Sequence, residues 1–284
     1  MNQCPVCHSQ SRKAGTTVAV GEFGRSDIFC CTRCQHRWIP NPWAKENGIA
    51  NQIVDRGGTT LSLNWIFGLL PIEVASNKRK RVLDVGCWDG ALLAQLPEGW
   101  VRHGVEFNHE AAERARAKGL TIFEFKLEEL GGEVELRYDL IFMMDVLEHV
   151  SAPEIAFSQI GRLLAPGGFF VALTGNVGTM AVRLFGGAWY YFNYPEHITF
   201  FSEKSFLRGI KSAGLAPLMV RHVTHHSATS GATLRRICRR LFRPRKQGEA
   251  GLANPSFFFE KVALALSRVA RGKDHLLVLA RKPP

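Results

Sequence analysis

The sequence predicts an α/β fold built on a doubly wound, mostly parallel sheet. The first observation is a short apolar run, Val82 to Val85, which is typical of a buried parallel strand. Gly86 and Gly90 follow at the place where that strand must turn sharply into a helical segment. The second observation is the repeated alternation of strands and helices over residues 81–223, which implies right-handed crossovers between parallel strands.

Local apolar patterns place the individual elements. We expect strands at 81–86, 102–107, 120–125, 139–144, 168–174 and 216–223, and helices at 90–96, 109–118, 153–164 and 203–213. The apolar segment 275–280 predicts a last strand, which brings the sheet to seven. A further helix is expected within residues 60–75, with an interruption at Pro71.

The same patterns divide the chain into four parts. We expect a small N-terminal ribbon at 1–43, a linker with an N-terminal helix at 44–80, the α/β domain at 81–223 and 274–284, and a basic amphipathic helical insertion at 224–273. A chain of 284 residues is long enough for one such domain and a small appendage.

Composition indicates a cytoplasmic protein. The apolar fraction of 46% is ordinary for a globular chain. No stretch reaches the roughly 18 uninterrupted apolar residues of a membrane-spanning helix, and the first residues do not resemble a charged and then apolar leader. The seven cysteines fit a reducing compartment if most of them bind metal or remain thiols.

The net charge of +11 is concentrated in one part of the chain. Residues 204–248 contain eleven Lys and Arg and no acid, which leaves 25 basic and 25 acidic residues elsewhere. Within this part, residues 232–243 place apolar side chains at helical spacing opposite five arginines. This pattern is typical of a helix that lies on an anionic membrane surface, which would make the protein peripheral at the inner face of the membrane. The alternatives are a helix packed on the sheet with solvated arginines, and nucleic-acid binding, which the pattern favours least.

Two Cys-x-x-Cys pairs near the start of the chain predict a metal site. Cys4 with Cys7, and Cys31 with Cys34, are separated by a loop of about two dozen residues, as in tetrahedral zinc sites in which each pair forms a knuckle. So small a segment has little core, and the metal would supply its folding energy. The ribbon could serve as a structural cap, a substrate clamp or a docking surface. Cys30 is expected to be a free thiol.

Four motifs follow one another along the α/β part. They are Asp84-Val-Gly86-Cys-Trp-Asp-Gly90, then Glu106 after an apolar run, then Asp145-Val-Leu-Glu-His149, then Pro166-Gly-Gly168. The glycine-rich turn and the acid about twenty residues later would alone fit any nucleotide-type cofactor. Together, the four motifs resemble the class I S-adenosylmethionine-dependent methyltransferases. The resemblance spans residues 80–220 and implies a Rossmann-like sheet whose last strand enters antiparallel beside the fifth.

The resemblance also implies which residues bind S-adenosylmethionine. Gly86 and Gly90 would shape the turn under the methionine moiety, and Glu106 would bind the ribose hydroxyls. Acids at strand ends are also common turn or helix caps, and methionines are often core residues. The cofactor-binding residues implied by the resemblance are Asp84, Gly86, Cys87, Gly90, Glu106, Phe107, Leu127, Glu128, Met144 and Asp145.

One residue departs from the motif of the family. Trp88 stands where the methyltransferases carry the middle glycine of the first motif. Either its ring folds away and shields the cofactor, or it impairs cofactor binding. The second possibility leads to a non-catalytic zinc-binding scaffold as one alternative function.

Two histidines are candidates for the general base that a hydroxyl acceptor requires, because histidine titrates near neutral pH. His149 follows the fourth predicted strand, and His197 follows an aromatic run at 189–194. His149 could equally be structural, and His197 could equally pack against the rings. The aromatic run could line a sugar pocket or form the core of a covering element.

The leading functional prediction is O-methylation of a sugar, a lipid-linked glycan or another small acceptor. Cys34 to Pro42, with its aromatic and Asn-Pro tail, resembles bacterial methyltransferases that carry an N-terminal zinc ribbon and commonly tailor sugars of polysaccharides or natural products. The alternative enzyme is a zinc-ribbon RNA methyltransferase. Residues 138–150 lack the Asn/Asp-Pro-Pro-aromatic motif with which many amino-methylating enzymes hold a planar nitrogen.

Overall fold

The computed structural model describes residues 3–17, 24–40, 66–68, 80–125, 136–224 and 273–284. The predictions made for Leu127, for Glu128 and for the basic segment 232–243 lie outside the described residues. The same holds for most of the predicted linker and for the insertion beyond residue 224. Within the described ranges, no helix is long and apolar enough to cross a membrane.

The described residues form eleven strands and five α-helices, and residues 66–68, within the predicted helix at 60–75, are also helical. The strands are β1 (Ser11–Thr16), β2 (Asp27–Cys31), β3 (Arg37–Trp38), β4 (Arg81–Val85), β5 (Val101–Val105), β6 (Thr121–Phe123), β7 (Tyr138–Met144), β8 (Leu164–Gly175), β9 (Thr199–Phe200), β10 (Ala216–Val223) and β11 (His275–Arg281). The helices are α1 (Ala91–Ala94), α2 (His109–Arg116), α3 (Pro153–Leu163), α4 (Met180–Phe185) and α5 (Glu203–Ser212). Short 3₁₀ turns occupy Leu147–His149 and Gly186–Ala188.

Seven strands form the central sheet in the order β10-β11-β8-β7-β4-β5-β6. The pairs from β8 through β6 are parallel, and β11 runs antiparallel between β8 and β10. This arrangement confirms the predicted α/β class, the count of seven strands and the antiparallel last strand. It also places the carboxyl ends of β4, β5 and β7 along one edge, together with the start of β11.

The fifth strand of the domain begins earlier than predicted. The sequence indicated a Pro-Gly-Gly turn and then a strand at 168–174, whereas β8 begins at Leu164. Its pairing with β7 jumps from Leu164 to Phe169, so the Pro-Gly-Gly segment bulges out between two paired stretches. Gly167 adopts φ 76 in this bulge, a left-handed conformation that glycine accepts at little cost.

Two helices on one face of the sheet pack closely because glycines remove side chains at their contact. A Cβ on Gly161 of α3 would lie 2.3 Å from the carbonyl oxygen of Ala213, and one on Gly209 of α5 would lie 2.3 Å from the ring of Phe157. Ser202 caps α5 by accepting a hydrogen bond from the backbone N–H of Ser205, whose hydroxyl in turn accepts from the Ser202 backbone. These contacts fix the segment that precedes α5.

A second, four-stranded sheet has the order β1-β2-β3-β9. Its first three strands belong to the predicted N-terminal ribbon, and the fourth comes from residues 199–200, after the aromatic run. The ribbon is thus continuous with a part of the α/β domain through backbone hydrogen bonds. His36 lies fully buried at this junction, 4.8 Å from the ring of Phe201 and 5.9 Å from that of Trp38.

Candidate active site

The turn after β4 has left-handed backbone at three of its five residues. Gly86 (φ 72), Trp88 (φ 50) and Gly90 (φ 72) all have positive φ. A Cβ on Gly86 would lie 2.4 Å from a methyl carbon of Val146, and one on Gly90 would lie 2.3 Å from a methyl carbon of Leu120. The two glycines are therefore required both by the left-handed conformation and by the side chains packed against them.

Glu106 is held by the same turn. Its Oε2 accepts a hydrogen bond from the backbone N–H of Trp88 (3.0 Å), and its Oε1 accepts one from the N–H of Asn108 (2.8 Å). Burial raises the pKa of Glu106 above its ordinary value, although these backbone donors act in the opposite direction. A carboxylate offers about four acceptor positions, so Glu106 keeps acceptor capacity for a further hydroxyl group.

Asp84 lies beside Glu106 in the interior. Its side chain is buried near the end of β4. Burial first, and the charge of Glu106 second, raise the pKa of Asp84 to about 8. Two neighbouring buried acids repel each other when both are ionised, and a positively charged ligand beside them relieves this repulsion.

The Trp88 side chain is directed toward the helix that follows β5. The guanidinium of Arg114 on α2 lies 5.5 Å from the centre of the indole ring, a cation–π contact. The neighbouring Asp89 is fixed by Lys118, whose ammonium lies 2.7 Å from its carboxylate. These contacts hold the turn against the end of α2.

The other predicted cofactor residues occupy different environments. Cys87 is buried, and a Cβ added to Gly104 on β5 would lie 2.4 Å from its sulfur, so this thiol fills the space left by that glycine. Phe107 is 40% exposed directly after Glu106. Met144 is buried at the end of β7, and Asp145 follows it with φ 54 and an N–H that donates to the carbonyl of Leu173 (2.9 Å).

The two predicted catalytic histidines lie side by side. The rings of His149 and His197 are 4.8 Å apart, edge to face. Nδ1 of His149 lies 2.7 Å from the carbonyl oxygen of Glu196, and Nδ1 of His197 lies 2.8 Å from that of Tyr191. Because a carbonyl only accepts hydrogen bonds, Nδ1 of each ring is the donor in these two contacts.

A buried acid supports this pair. Glu148 accepts hydrogen bonds from the hydroxyls of Tyr191 (2.6 Å) and Thr174 (2.8 Å). Burial first, and the charge of Asp145 second, raise the pKa of Glu148. The sequence analysis assigned no role to Glu148 or Tyr191. Tyr191 was read only as one ring of an aromatic run, although it contacts both the acid and His197.

A second network that the sequence analysis missed lies at the start of β11. The carboxylate of Asp274 accepts from the hydroxyl of Tyr190 (3.0 Å) and lies 3.0 Å from Nδ1 of His275. The other ring nitrogen of the fully buried His275 is 3.8 Å from Asp145. An antiparallel last strand begins at the carboxyl edge of its parallel neighbours, so the predicted topology was a signal that could have pointed to Asp274 and His275.

The four predicted metal ligands converge within the ribbon. The sulfur atoms lie 3.6 Å apart for Cys4 and Cys34, 3.5 Å for Cys7 and Cys31, and 3.4 Å for Cys7 and Cys34. A tetrahedron of sulfurs about 2.3 Å from a zinc ion has edges of about 3.8 Å. Backbone N–H groups of Val6 and Cys34 donate to the sulfurs of Cys4 and Cys31. These distances fit a single tetrahedral ion.

Comparison with known proteins identifies the family. Residues 68–220 match a family described as a methyltransferase domain. The chain belongs to this methyltransferase family. The match covers more than half of the chain and includes the glycine turn, Glu106 and both histidines, so the prediction of a methyltransferase is confirmed.

Relatives and solved structures agree with this assignment. The methyltransferase is 27% identical over 183 residues to the ubiquinone biosynthesis O-methyltransferase of Paracidovorax citrulli. The aligned region covers 60% of this chain and 75% of that protein. It is 29% identical to the protein of the same name from Bordetella avium, over 60% and 74% of the two chains.

Its fold also matches an S-adenosylmethionine-dependent methyltransferase of Mesorhizobium loti (TM-score 0.50, 20% identity, 78% and 98% of the two chains). A chain of the complex between the Haloferax volcanii Trm112 methyltransferase activator and a methyltransferase is similar to the same degree (TM-score 0.51, 18% identity, 75% and 87% of the chains).

The residues present fit S-adenosylmethionine, the methyl donor that the family implies. This cofactor carries a sulfonium and an ammonium, and acids follow or end three neighbouring strands at the candidate site, namely Asp84, Glu106 and Asp145. Gly86 and Gly90 form the turn between β4 and α1 at the same edge, where a glycine-rich turn brings backbone N–H groups toward a ligand. The methyltransferase therefore has acids and a glycine turn suited to this cofactor on the carboxyl edge of its sheet.

Proposed function

We propose that this methyltransferase methylates a hydroxyl oxygen of a small acceptor, with a sugar or a lipid-linked glycan as the acceptor class, and that His197 is the general base. The relatives named ubiquinone biosynthesis O-methyltransferase support oxygen as the acceptor atom. The observation that carries the proposal is the pair of histidines at the carboxyl edge, each with Nδ1 against a backbone carbonyl.

His197 has the position and the tautomer that a general base needs. Its Nδ1 lies 2.8 Å from the carbonyl oxygen of Tyr191 and donates to it, so Nε2 is the nitrogen that takes the proton of an acceptor hydroxyl in this proposal. His149 lies within ring contact and has the same tautomer. Glu148, beside both, places a carboxyl group where it stabilises a proton gained by either ring.

The cofactor, when bound, supplies an electrophilic methyl group. Glu106 accepts the ribose hydroxyls with the acceptor positions that Trp88 and Asn108 leave open. Asp145 provides negative charge near the positive groups of the cofactor, and Asp84, which keeps its proton up to about pH 8 in the cofactor-free chain, ionises more readily when positive charge lies beside it. The protein's contribution is to hold donor and acceptor in line and to remove one proton.

The aromatic run contributes partly to packing and partly to the site. Trp189, Tyr191 and Phe192 are buried in one cluster and form the core of the segment. Tyr190 and Tyr194 are only partly buried, and such rings can stack on the apolar face of a sugar or on a flat ring. These two side chains are the candidates for acceptor contacts.

We also propose that Cys4, Cys7, Cys31 and Cys34 bind one zinc ion. The donor set of four thiols, their mutual distances and the backbone N–H groups directed at the sulfurs support this assignment. Metal analysis of the purified chain should give one zinc per molecule. A chain without zinc that keeps the same fold would contradict the proposal.

The acceptor is tested with the full chain and methyl-labelled S-adenosylmethionine. The panel contains sugar nucleotides, a lipid-linked glycan, a catechol as a phenolic hydroxyl, and an RNA transcript. We expect label on a hydroxyl of a sugar-bearing acceptor. Label only on the catechol would keep oxygen as the acceptor atom but reject the sugar class, and label only on RNA would overturn the proposal.

A further inference from the structure

The ribbon is hydrogen-bonded to the chain directly after the candidate base. Strand β3 pairs with β9 so that Trp38 faces Thr199 and Arg37 faces Phe200. The N–H of Ile39 donates to the carbonyl of Ile198 at 2.9 Å, which extends this pairing to the residue next to His197. The backbone around His197 is therefore fixed on one side by a strand of the ribbon.

A metal-ligand residue takes part in the same junction. The hydroxyl of Ser202 donates to the carbonyl of Cys34 at 2.8 Å, and both residues are buried. Ser202 is also the cap of α5, so the position of Cys34 is linked to the start of that helix. Phe201, next to Ser202, packs against the buried ring of His36.

The ribbon also contacts the start of the covering segment. Gly187 approaches the carbonyl oxygen of Thr16 so closely that a Cβ on it would lie 1.8 Å from that oxygen. We call residues 187–202 the covering segment, because they run from this contact to the cap of α5 and include the aromatic run and His197. The ribbon holds the covering segment near both of its ends.

The opposite side of the covering segment is held by the loop after β7. Ile198 N–H donates to the carbonyl of Glu148 (2.9 Å), and the hydroxyl of Thr199 donates to the carbonyl of Val150 (2.8 Å). His149 donates from Nδ1 to the carbonyl of Glu196. The covering segment thus lies between the ribbon and the loop that carries His149. If the contacts with one of these two elements are lost, only the contacts with the other still hold the segment.

We propose that the cysteine ribbon is a positioning element of the active site. Metal binding by the four cysteines fixes β3, and β3 together with Thr16 holds the covering segment so that His197 stays beside His149. The inference rests on the proposed function for its catalytic consequence, but the structural link does not depend on it. Small cysteine ribbons fold on metal binding, so the ion sets the order of β3. Displacing a catalytic group by about 1 Å can cost about 100-fold in rate.

The first test compares Cys34→Ser with Cys30→Ser in the full chain. Cys30 lies on β2 outside the four-thiol set, and its sulfur contacts only the carbonyl of Cys31 among the contacts described for it, so it is the matched control. We expect Cys34→Ser to lose zinc, to show faster amide exchange across residues 187–202, and to lose about 10- to 100-fold in kcat. Cys30→Ser should keep all three properties.

The second test disturbs the contact and leaves the ligands in place. Gly187→Ala places a methyl group against the carbonyl of Thr16, so we expect zinc content to stay at one per chain while exchange in 187–202 rises and kcat falls. Affinity for S-adenosylhomocysteine should change less than about threefold in both variants, because the contacts described for Gly86, Gly90 and Glu106 include no residue of the ribbon. If Cys34→Ser does not fold, Gly187→Ala still tests whether the ribbon positions the covering segment.

Two results would overturn the inference. One is loss of zinc in Cys34→Ser with unchanged exchange in 187–202, and the other is Gly187→Ala with normal exchange and normal kcat. If no acceptor in the panel is methylated, the proposed function fails. Zinc content and amide exchange then still show whether the ribbon orders the covering segment.

Discussion

The backbone N–H of Trp88 donates a hydrogen bond to Oε2 of Glu106 at 3.0 Å. Trp88 stands where the methyltransferase motif has a glycine, and its φ of 50 is a left-handed conformation that glycine accepts at little cost. In this conformation its N–H orients the acid that is the candidate ribose ligand. The indole itself extends toward Arg114 on α2.

Replacing Glu106 by Ala should weaken binding of S-adenosylhomocysteine by about 10- to 100-fold, because hydrogen bonds to a charged group contribute about 1.5–3 kcal/mol each. Isothermal titration calorimetry measures this change. Glu110→Ala, an exposed acid in the first turn of α2, is the control and should bind normally. Equal affinity in the two variants would remove Glu106 from the cofactor site.

Replacing Trp88 by Gly should give a more stable protein than replacing it by Ala. Both variants lose the contact with Arg114, but only Gly avoids the left-handed penalty of about 1–2 kcal/mol that a side chain incurs. Part of this gain is offset because glycine has more conformational freedom in the unfolded chain, by about 0.5–1 kcal/mol. Urea unfolding of the two variants measures the difference. An Ala variant as stable as the Gly variant would show that the turn relaxes without cost.

The central sheet could be predicted because its signals are local. The strands β4 and β7 are short, mostly apolar runs, and glycine or an acid directly follows β4, β5 and β7. The spacing between the glycine turn and Glu106 is likewise visible without a structure. These features gave the strand count, the edge of the sheet that carries the site and the family.

The junction with the ribbon could not be predicted in this way. The strands β3 and β9 have two residues each, and more than 160 positions separate Trp38 from Thr199. So short a strand has no periodicity, and a pairing over that distance depends on the whole fold. The same reason hid the link between Tyr191 and Glu148, which are joined only when the covering segment folds over β7.

The free energy of unfolding should fall with rising pH because of Asp84. Burial and the charge of Glu106 raise its native pKa to about 8, whereas an unfolded aspartate titrates near about 3.9. Between these values the native state keeps a proton that the unfolded chain has lost. Stability therefore decreases as pH rises, by at most about 1.4 kcal/mol per pH unit from this group.

Asp84→Asn should remove this decrease, as measured by urea unfolding of the cofactor-free chain from about pH 5 to about pH 8. The control is Glu98→Gln, because Glu98 is exposed in the loop after α1 and should leave the pH dependence of the wild type unchanged. Parallel curves for wild type and Asp84→Asn would mean that Asp84 is ionised in the native state across this range.

Replacing His197 by Ala should lower kcat and spare cofactor binding, since removal of a general base typically costs about 100- to 10,000-fold. His197→Gln tests whether the position of the segment alone is enough: it keeps a polar side chain next to Tyr191 but has no nitrogen base, so it should be as slow as His197→Ala.

His149→Ala removes the ring that contacts His197 and its bond to Glu196, and a smaller loss in kcat is expected if His197 takes the proton. Single-turnover assays with labelled cofactor, together with calorimetry on each variant, separate rate from binding. Normal turnover in His197→Ala with a large loss in His149→Ala would transfer the role of base to His149, because the two rings are in contact and each has Nδ1 against a backbone carbonyl.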